Sequence, residues 1–291
     1  MVKSVNRSQT NATFKFSVLH IIKILVPLWF IYILFVPLGY VFGRTFSDVY
    51  GSGFSSLFYI FSDLTGLSYL LGFLPKANET WWFFGEIIRL YIFFPLFYYS
   101  IKKNSSLTLF AGLLLCFRYG LIWFLPFILG MIFAEKDFLS VVMQQKRVKK
   151  SICGIINFCL IVFFTIIRQK YGAAIDGFYA IAIICFLLCL FSPEKPLGKA
   201  LVFIGKHSFN IFMFHTFIYL KYMYSFIYGF RYPLVIFFAL TIICLVVSIG
   251  IETLKKLVRY EKFHKLIADF VEYAIDKFNL FAEKIRVFLI P

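Results

Sequence analysis

The chain has 291 residues, 61% of them hydrophobic and 22% aromatic, and carries a formal charge of +16. Soluble domains run near about 45–50% apolar, so a mean hydropathy of +0.85 points to an all-α, polytopic transmembrane bundle. A β-barrel is excluded, because short alternating segments are absent. In a soluble chain such a basic excess would suggest nucleic acid. Here the cations cluster between apolar runs, as the positive-inside rule requires, and no nucleic-acid partner is implied. Cysteines 116, 153, 159, 185, 189 and 244 sit in apolar segments without metal-ligand spacing. They read as packing residues, with no metal site.

Residues 1–16 are polar and basic (Lys3, Arg7, Lys15) and read as a cytoplasmic tail. A membrane domain is expected over 17–255. The first run is too long for a cleavable signal and lacks a small-residue cleavage site. It spans about 17–42 and places His20 and Lys23 three apart on one face before Pro27. Snorkelling toward the inner interface is the plain reading of that pair. Residues 43–79 contain Asp48, Asp63 and several glycines, with apolar stretches 54–61 and 67–74 too short to cross. They read as a non-cytoplasmic segment with a re-entrant or interfacial piece.

The span 81–101 has Trp81 and Trp82 at one mouth and Lys102 and Lys103 at the other. Glu86 and Arg89 share a face inside it. A charge at bilayer depth costs about 2.5–3.5 kcal/mol even on the lenient insertion scale. The two therefore pair to fix packing, or face a wet functional interior. Pro95 is expected to kink this helix. Segments 106–118 and 121–134 read as a tight helical hairpin, closely packed through Gly130. A basic loop, 144–150, leads to spans at 151–167 and 174–192. After a proline-punctuated loop, Gly205-Lys206-His207-Ser208 opens a span to about 223, and 233–254 forms the last.

About eight crossings of sufficient length result. With a cytoplasmic N-terminus, inside loops hold Lys102, Lys103, Lys146, Arg147, Lys149, Lys150, Lys195, Lys199, Lys206, Lys255, Lys256 and Arg259. Outside loops hold only Arg44, Lys76, Arg168, Lys170, Lys221 and Arg231. Both termini are then cytoplasmic. Residues 256–291 show apolar groups at helical spacing, including Leu257, Phe263, Leu266, Ile267, Phe270, Phe278, Phe281 and Ile285. That pattern is an amphipathic helix on the lipid of the inner leaflet.

No nucleophile elbow, phosphate-cradling loop or zinc motif is present. Positions 208, 212, 215, 219 and 222 share one helix face, which carries Ser208, Phe212, His215, Tyr219 and Tyr222. His215 can exchange protons near neutral pH; a hydrogen-bonded packing histidine is the alternative. Asn11-Ala-Thr13 and Asn78-Glu-Thr80 match the glycosylation pattern, which carries no weight without a known compartment.

Thr80-Trp81-Trp82-Phe83 with Tyr91 and Pro95, Leu125-Pro126-Phe127-Ile128-Leu129-Gly130-Met131, and Ile204-Gly205-Lys206-His207-Ser208-Phe209-Asn210-Ile211-Phe212-Met213-Phe214-His215 together resemble the acyltransferase-3 family. The resemblance covers about residues 15–255. It implies transfer of an acyl group, acetyl above all, from cytoplasmic acyl-CoA to a hydroxyl of a bacterial surface polysaccharide or its lipid-linked precursor, at the inner membrane. His20-x-x-Lys23 before Pro27 is similar to the family's basic pair, which suits the phosphates of acyl-CoA. Arg89, Tyr91, Trp81, Trp82 and Ser208 are implied in substrate binding. The resemblance starts at the family's third helix, so the first two helices, with their catalytic histidine, have no counterpart here. His215, and more distantly Glu86, remain as bases, and weak or absent O-acylation is expected. The rival reading is a non-enzymatic polysaccharide export or flippase-type protein.

Overall fold

A computed structural model describes residues 2–192 and 194–289, with side chains described over 11–146, 148–192 and 194–281. The side chains of Lys3, Arg7, Arg147 and Ile285, which enter the expectations above, lie outside the described residues. In chain order the helices are α1 (Val2–Leu38), α2 (Phe46–Tyr50), α3 (Phe54–Thr65), α4 (Trp82–Tyr119), α5 (Phe124–Glu135), α6 (Phe138–Met143), α7 (Arg147–Tyr171), α8 (Asp176–Leu190), α9 (Pro196–Thr216), α10 (Tyr224–Gly229), α11 (Pro233–Leu257) and α12 (Tyr260–Leu289). No strand occurs among the described residues. Among the described residues, five stretches are long and apolar enough to cross a membrane: Asn11–Phe42, Glu79–Tyr119, Val148–Leu190, Pro196–Tyr222 and Pro233–Leu257. The chain is an all-α, multi-pass membrane protein.

Contacts divide it into two compact units, Met1–Ile92 with Ile204–Pro291, and Phe93–Phe203. In the first unit, α1 begins at Val2, so the expected tail continues the helix. Ring pairs His20–Tyr91 at 5.5 Å and Tyr32–Trp81 at 6.1 Å set α1 and the start of α4 antiparallel. Phe35–Phe214 at 5.1 Å and Phe42–Tyr222 at 4.7 Å set α1 parallel to the end of α9 and the turn that follows it. The core these helices share includes Leu28, Ile31, Trp81, Phe84, Met213 and Phe214, all fully or nearly fully buried. Gly66 ends α3 at φ +71°, and a Cβ there would stand 2.9 Å from Phe84 Cβ. Only glycine meets both the left-handed backbone and that close approach.

The apolar face of α3, Phe54, Leu57, Phe58 and Phe61, points away from the core, while Ser62 and Asp63 are buried. An outward apolar stripe on a 12-residue helix suits the interfacial piece anticipated for this segment. Similarly, α12 lies antiparallel along α1. Lys15 bridges Glu272 at 2.8 Å and Asp276 at 2.9 Å, and Phe30 meets Tyr260 at 5.2 Å. This leaves Phe263, Leu266 and Phe270 exposed on its outer face.

In the second unit, the break in α4 falls at Asn104 (φ −160°, ψ 98°), and Pro95 stays inside the helix. The chain therefore leaves helical geometry at Asn104 and not at Pro95. A proline removes one intrahelical bond, whereas Asn104 turns extended and its Oδ1 accepts from Leu107 N at 3.0 Å. That is an N-cap starting a new helix. The hairpin with α5 turns at Gly120, φ +69°, whose N–H donates to Cys116 O at 3.2 Å. Its close packing comes from Gly112, where a Cβ would meet Ile128 Cδ1 at 2.9 Å, and not from Gly130, which has open space beside it. α7 begins inside the expected basic loop and pairs with α8, closed by Arg168 to Asp176 at 2.7 Å.

Candidate functional site

Three groups of polar residues stand on the α1–α4–α9 core of the first unit. The first surrounds His215. Its Nδ1 lies 3.0 Å from both Ile211 O and Phe212 O. A carbonyl only accepts, so Nδ1 carries the proton and Nε2 of the neutral ring holds the lone pair. The ring is half-buried and stacks on Tyr219 at 5.7 Å, with Phe212 at 6.3 Å. This brings together Phe212, His215 and Tyr219 of the expected stripe. Ser208 does not join them: it is exposed, and its Oγ donates back to Gly205 O at 2.7 Å.

The second group holds the loop before α4. Asn78 is fully buried; its Oδ1 accepts from Thr216 Oγ1 at 2.6 Å and Thr80 Oγ1 at 2.8 Å, and its Nδ2 donates to Met213 O at 3.0 Å. The sequon there is therefore closed to any glycan. Trp81 is 1% exposed, and its Nε1 donates to the same Met213 O at 2.9 Å. Trp81 is thus a core residue rather than a surface contact for substrate, because its indole N–H has to be satisfied once buried. Trp82 stays half-buried and packs on Tyr69 at 5.8 Å. Asp63, 1% exposed, accepts from Ser68 Oγ at 2.7 Å, Ala77 N at 2.8 Å, Tyr50 OH at 3.1 Å and Lys76 N at 3.2 Å. Burial pushes its carboxyl above the ordinary value, and those donors pull the other way.

The third group lies on α4 and α1. Glu86 is buried, and its Oε1 meets Arg89 at 3.3 Å, while its Oε2 is buried without a hydrogen bond among the described residues. Arg89 is half-exposed and so reaches from the core toward its edge. His20 packs its ring on Tyr91, and its Nδ1 donates to Phe16 O at 2.8 Å; Lys23 is exposed. We expect Glu86→Ala and Arg89→Ala each to lower folded yield strongly, since each strands the other charge. In a double-mutant cycle on solubilised protein, the double variant should be better than the sum of the singles. Strict additivity would show the pair to be uncoupled.

Sequence reasoning missed a further polar ladder between α9 and α11. His207 Nδ1 meets Ser248 Oγ at 2.9 Å, Asn210 Nδ2 donates to Glu252 Oε1 at 2.6 Å, and Lys255 Nζ donates to Asn210 Oδ1 at 3.0 Å and to Glu252 at 2.7 Å. The available signal was the spacing: His207 and Asn210 are three apart, and Ser248 and Glu252 are four apart, inside apolar spans. Lys221, counted above among loop cations, instead lies in a π-helical turn, Phe217–Tyr222, with its Nζ donating to Ala77 O.

A family model described as an acyltransferase domain, of the acyltransferase-3 type, matches residues 4–253. Neither a curated protein nor a solved structure matches the chain.

Proposed function

The chain belongs to the acyltransferase-3 family, and from that membership we propose that it moves an acetyl group from acetyl-CoA to a hydroxyl of a cell-surface polysaccharide or its lipid-linked precursor. That it is a membrane acyltransferase follows from the family and the apolar helices. The observation that carries the reading is His215: Nδ1–H is held by two backbone carbonyls, which leaves Nε2 as the base. In the proposed step, Nε2 takes the hydroxyl proton as the oxygen attacks the thioester carbonyl carbon. The C–O bond forms, the C–S bond breaks, and the imidazolium returns the proton to the departing thiolate. His20 and Lys23 serve the donor's phosphates, Lys23 as an exposed point charge. Glu86 and Arg89 line the acceptor path.

The loop charges orient the donor side toward the cytoplasm of a bacterial inner membrane, with both termini there. Reporter fusions after Lys150 and after Lys256 should both report cytoplasm; a periplasmic signal from either reverses the orientation. The activity is tested by expressing residues 1–291 in a host lacking its own polysaccharide O-acetylase and measuring acetyl ester on the glycan. No ester above the empty-vector level, with the protein present in the membrane, overturns this reading and accords with the weak or absent O-acylation that the unmatched first two helices led one to expect.

A further inference from the structure

We propose that the wedge between the two halves of α4 is a binding site for an anionic phospholipid. The site goes beyond the acyltransferase reading and does not rest on it. Asn104, at φ −160° and ψ 98°, breaks α4 after Lys103. Both halves line one cavity of about 510 Å³, within the roughly 300–1,000 Å³ usual for ligand pockets. It lies wholly within the Phe93–Phe203 unit. Leu96 and Phe97 stand on one wall, and Leu107, Ala111 and Leu115 on the other. Exposed apolar side chains on a spanning helix meet lipid as their solvent and mark no site by themselves. A concave wedge differs, because a void forfeits the dispersion contacts of its lining and one ordered chain restores them.

The polar residues of the cavity gather where the halves part: Ser100, Lys103, Asn104 and Thr108 line it there. Ser100 and Lys103 are three apart and share one face of the first half. Thr108 Oγ1 donates to Asn104 O at 2.9 Å, and Asn104 Oδ1 accepts from Leu107 N at 3.0 Å. This leaves Asn104 Nδ2 and the Ser100 hydroxyl as donors with no hydrogen bond among the described residues. Lys103 likewise makes no ion pair or hydrogen bond among the described residues. Its neighbour Lys102 is committed, with Glu135 at 2.6 Å and the Tyr98 ring at 5.7 Å. No acidic side chain among the described residues lines the cavity.

A cation, an amide and a hydroxyl at one end of an apolar wedge match a phosphate headgroup above acyl chains. The ammonium of Lys103 is a compact point charge for the phosphate, and the amide and hydroxyl donate to its other oxygens. In the orientation proposed above, Lys103 faces the cytoplasmic leaflet, whose anionic lipids attract such cations. A zwitterionic headgroup fits less well, since it brings its own cation to Lys103. The acyl chain lies along Leu96, Leu107 and Ala111. No residue of α5 lines the cavity. That helix packs on the two halves elsewhere, with Phe124 on Phe97 at 5.4 Å and Ile128 against Gly112, so the wedge is left for lipid.

Thermal unfolding of the purified full chain in a neutral detergent tests the site without relying on activity. Dioctanoyl phosphatidylglycerol is titrated against dioctanoyl phosphatidylcholine, and glycerol phosphate tests the headgroup alone. Phosphatidylglycerol should raise the unfolding temperature saturably, and at lower concentration than phosphatidylcholine. Glycerol phosphate should leave it unchanged. Lys103→Gln should weaken phosphatidylglycerol binding about tenfold, the loss of one charge-assisted contact, and bring it level with phosphatidylcholine. Lys149→Gln, at an exposed cation outside the cavity, should leave binding as in wild type. Ala111→Phe, at an exposed position on the wall, should fill the wedge and weaken both lipids. If Ala111→Phe does not fold, the two charge variants decide. No saturable shift, or equal affinity for the two lipids, overturns the proposal. Equal losses in Lys103→Gln and Lys149→Gln also overturn it, reducing the effect to bulk charge attraction. A glycerol phosphate effect as large as that of the lipid overturns the lipid assignment in favour of free phosphate.

Discussion

Replacing His215 with alanine is expected to lower acetyl-ester formation by about 10²–10⁴-fold, the usual worth of general-base help, with membrane levels near wild type. A sugar hydroxyl cannot ionise at neutral pH by itself, so its proton has to leave as the acyl carbon is attacked. The fixed Nδ1–H bonds to Ile211 O and Phe212 O set the tautomer and ring plane, so the lone pair of Nε2 is presented in one direction. Structurally the substitution is mild: stacking on Tyr219 is worth about 0.5–1.5 kcal/mol, too little to unfold a helix held by Met213 and Phe214 in the core. The readout is acetyl ester on the glycan, normalised to protein in the membrane. Ester formation that persists at the wild-type rate in His215→Ala removes His215 as the base and transfers attention to Glu86. A loss of protein together with activity would make His215 a packing residue.

Asp63→Asn should be nearly as damaging to folded yield as Asp63→Ala. Both carboxylate oxygens of Asp63 face donors: Ser68 and Lys76 on Oδ1, Ala77 and Tyr50 on Oδ2. An asparagine keeps the volume but turns one oxygen into an NH2 that must point at N–H or O–H groups. Each buried donor left unsatisfied costs about 1–3 kcal/mol, against a typical total stability of about 5–15 kcal/mol. The loop from Gly66 to Trp81 would lose the anchor that places Ala77 O for Lys221 and Asn78 for Thr216. Fluorescence-detected size exclusion of the solubilised variants measures the outcome. A monodisperse Asp63→Asn peak at wild-type height would show that the carboxylate charge is dispensable.

Much of the architecture was legible in the sequence because a bilayer leaves few alternatives. Long apolar runs must be helices, as every backbone group has to be satisfied internally. That constraint yielded the membrane class, the helical segments and the amphipathic end helix. The acyltransferase-3 strings around Trp81 and His215 were equally readable, and the match over residues 4–253 agrees with them. Exposure was not readable: Trp81, with the composition of an interfacial tryptophan, is sealed in the core, while Ser208, on the same helical face as His215, points outward. Nor was the break at Asn104, where a capping amide and not Pro95 ends the helix.

The sequence by itself determined what the medium dictates: that the apolar runs form helices, and that Glu86 and Arg89 share one helix face. Tertiary structure alone decided which polar groups meet across the fold. Asp63 meets the amide of Ala77 fourteen residues on, Asn78 meets Thr216 at a separation of 138, and His207 meets Ser248 at a separation of 41. Helical periodicity specifies neighbours three and four residues away. Pairings between distant elements depend on how the helices pack and on where a π-turn re-aims Lys221, and no local spacing encodes either.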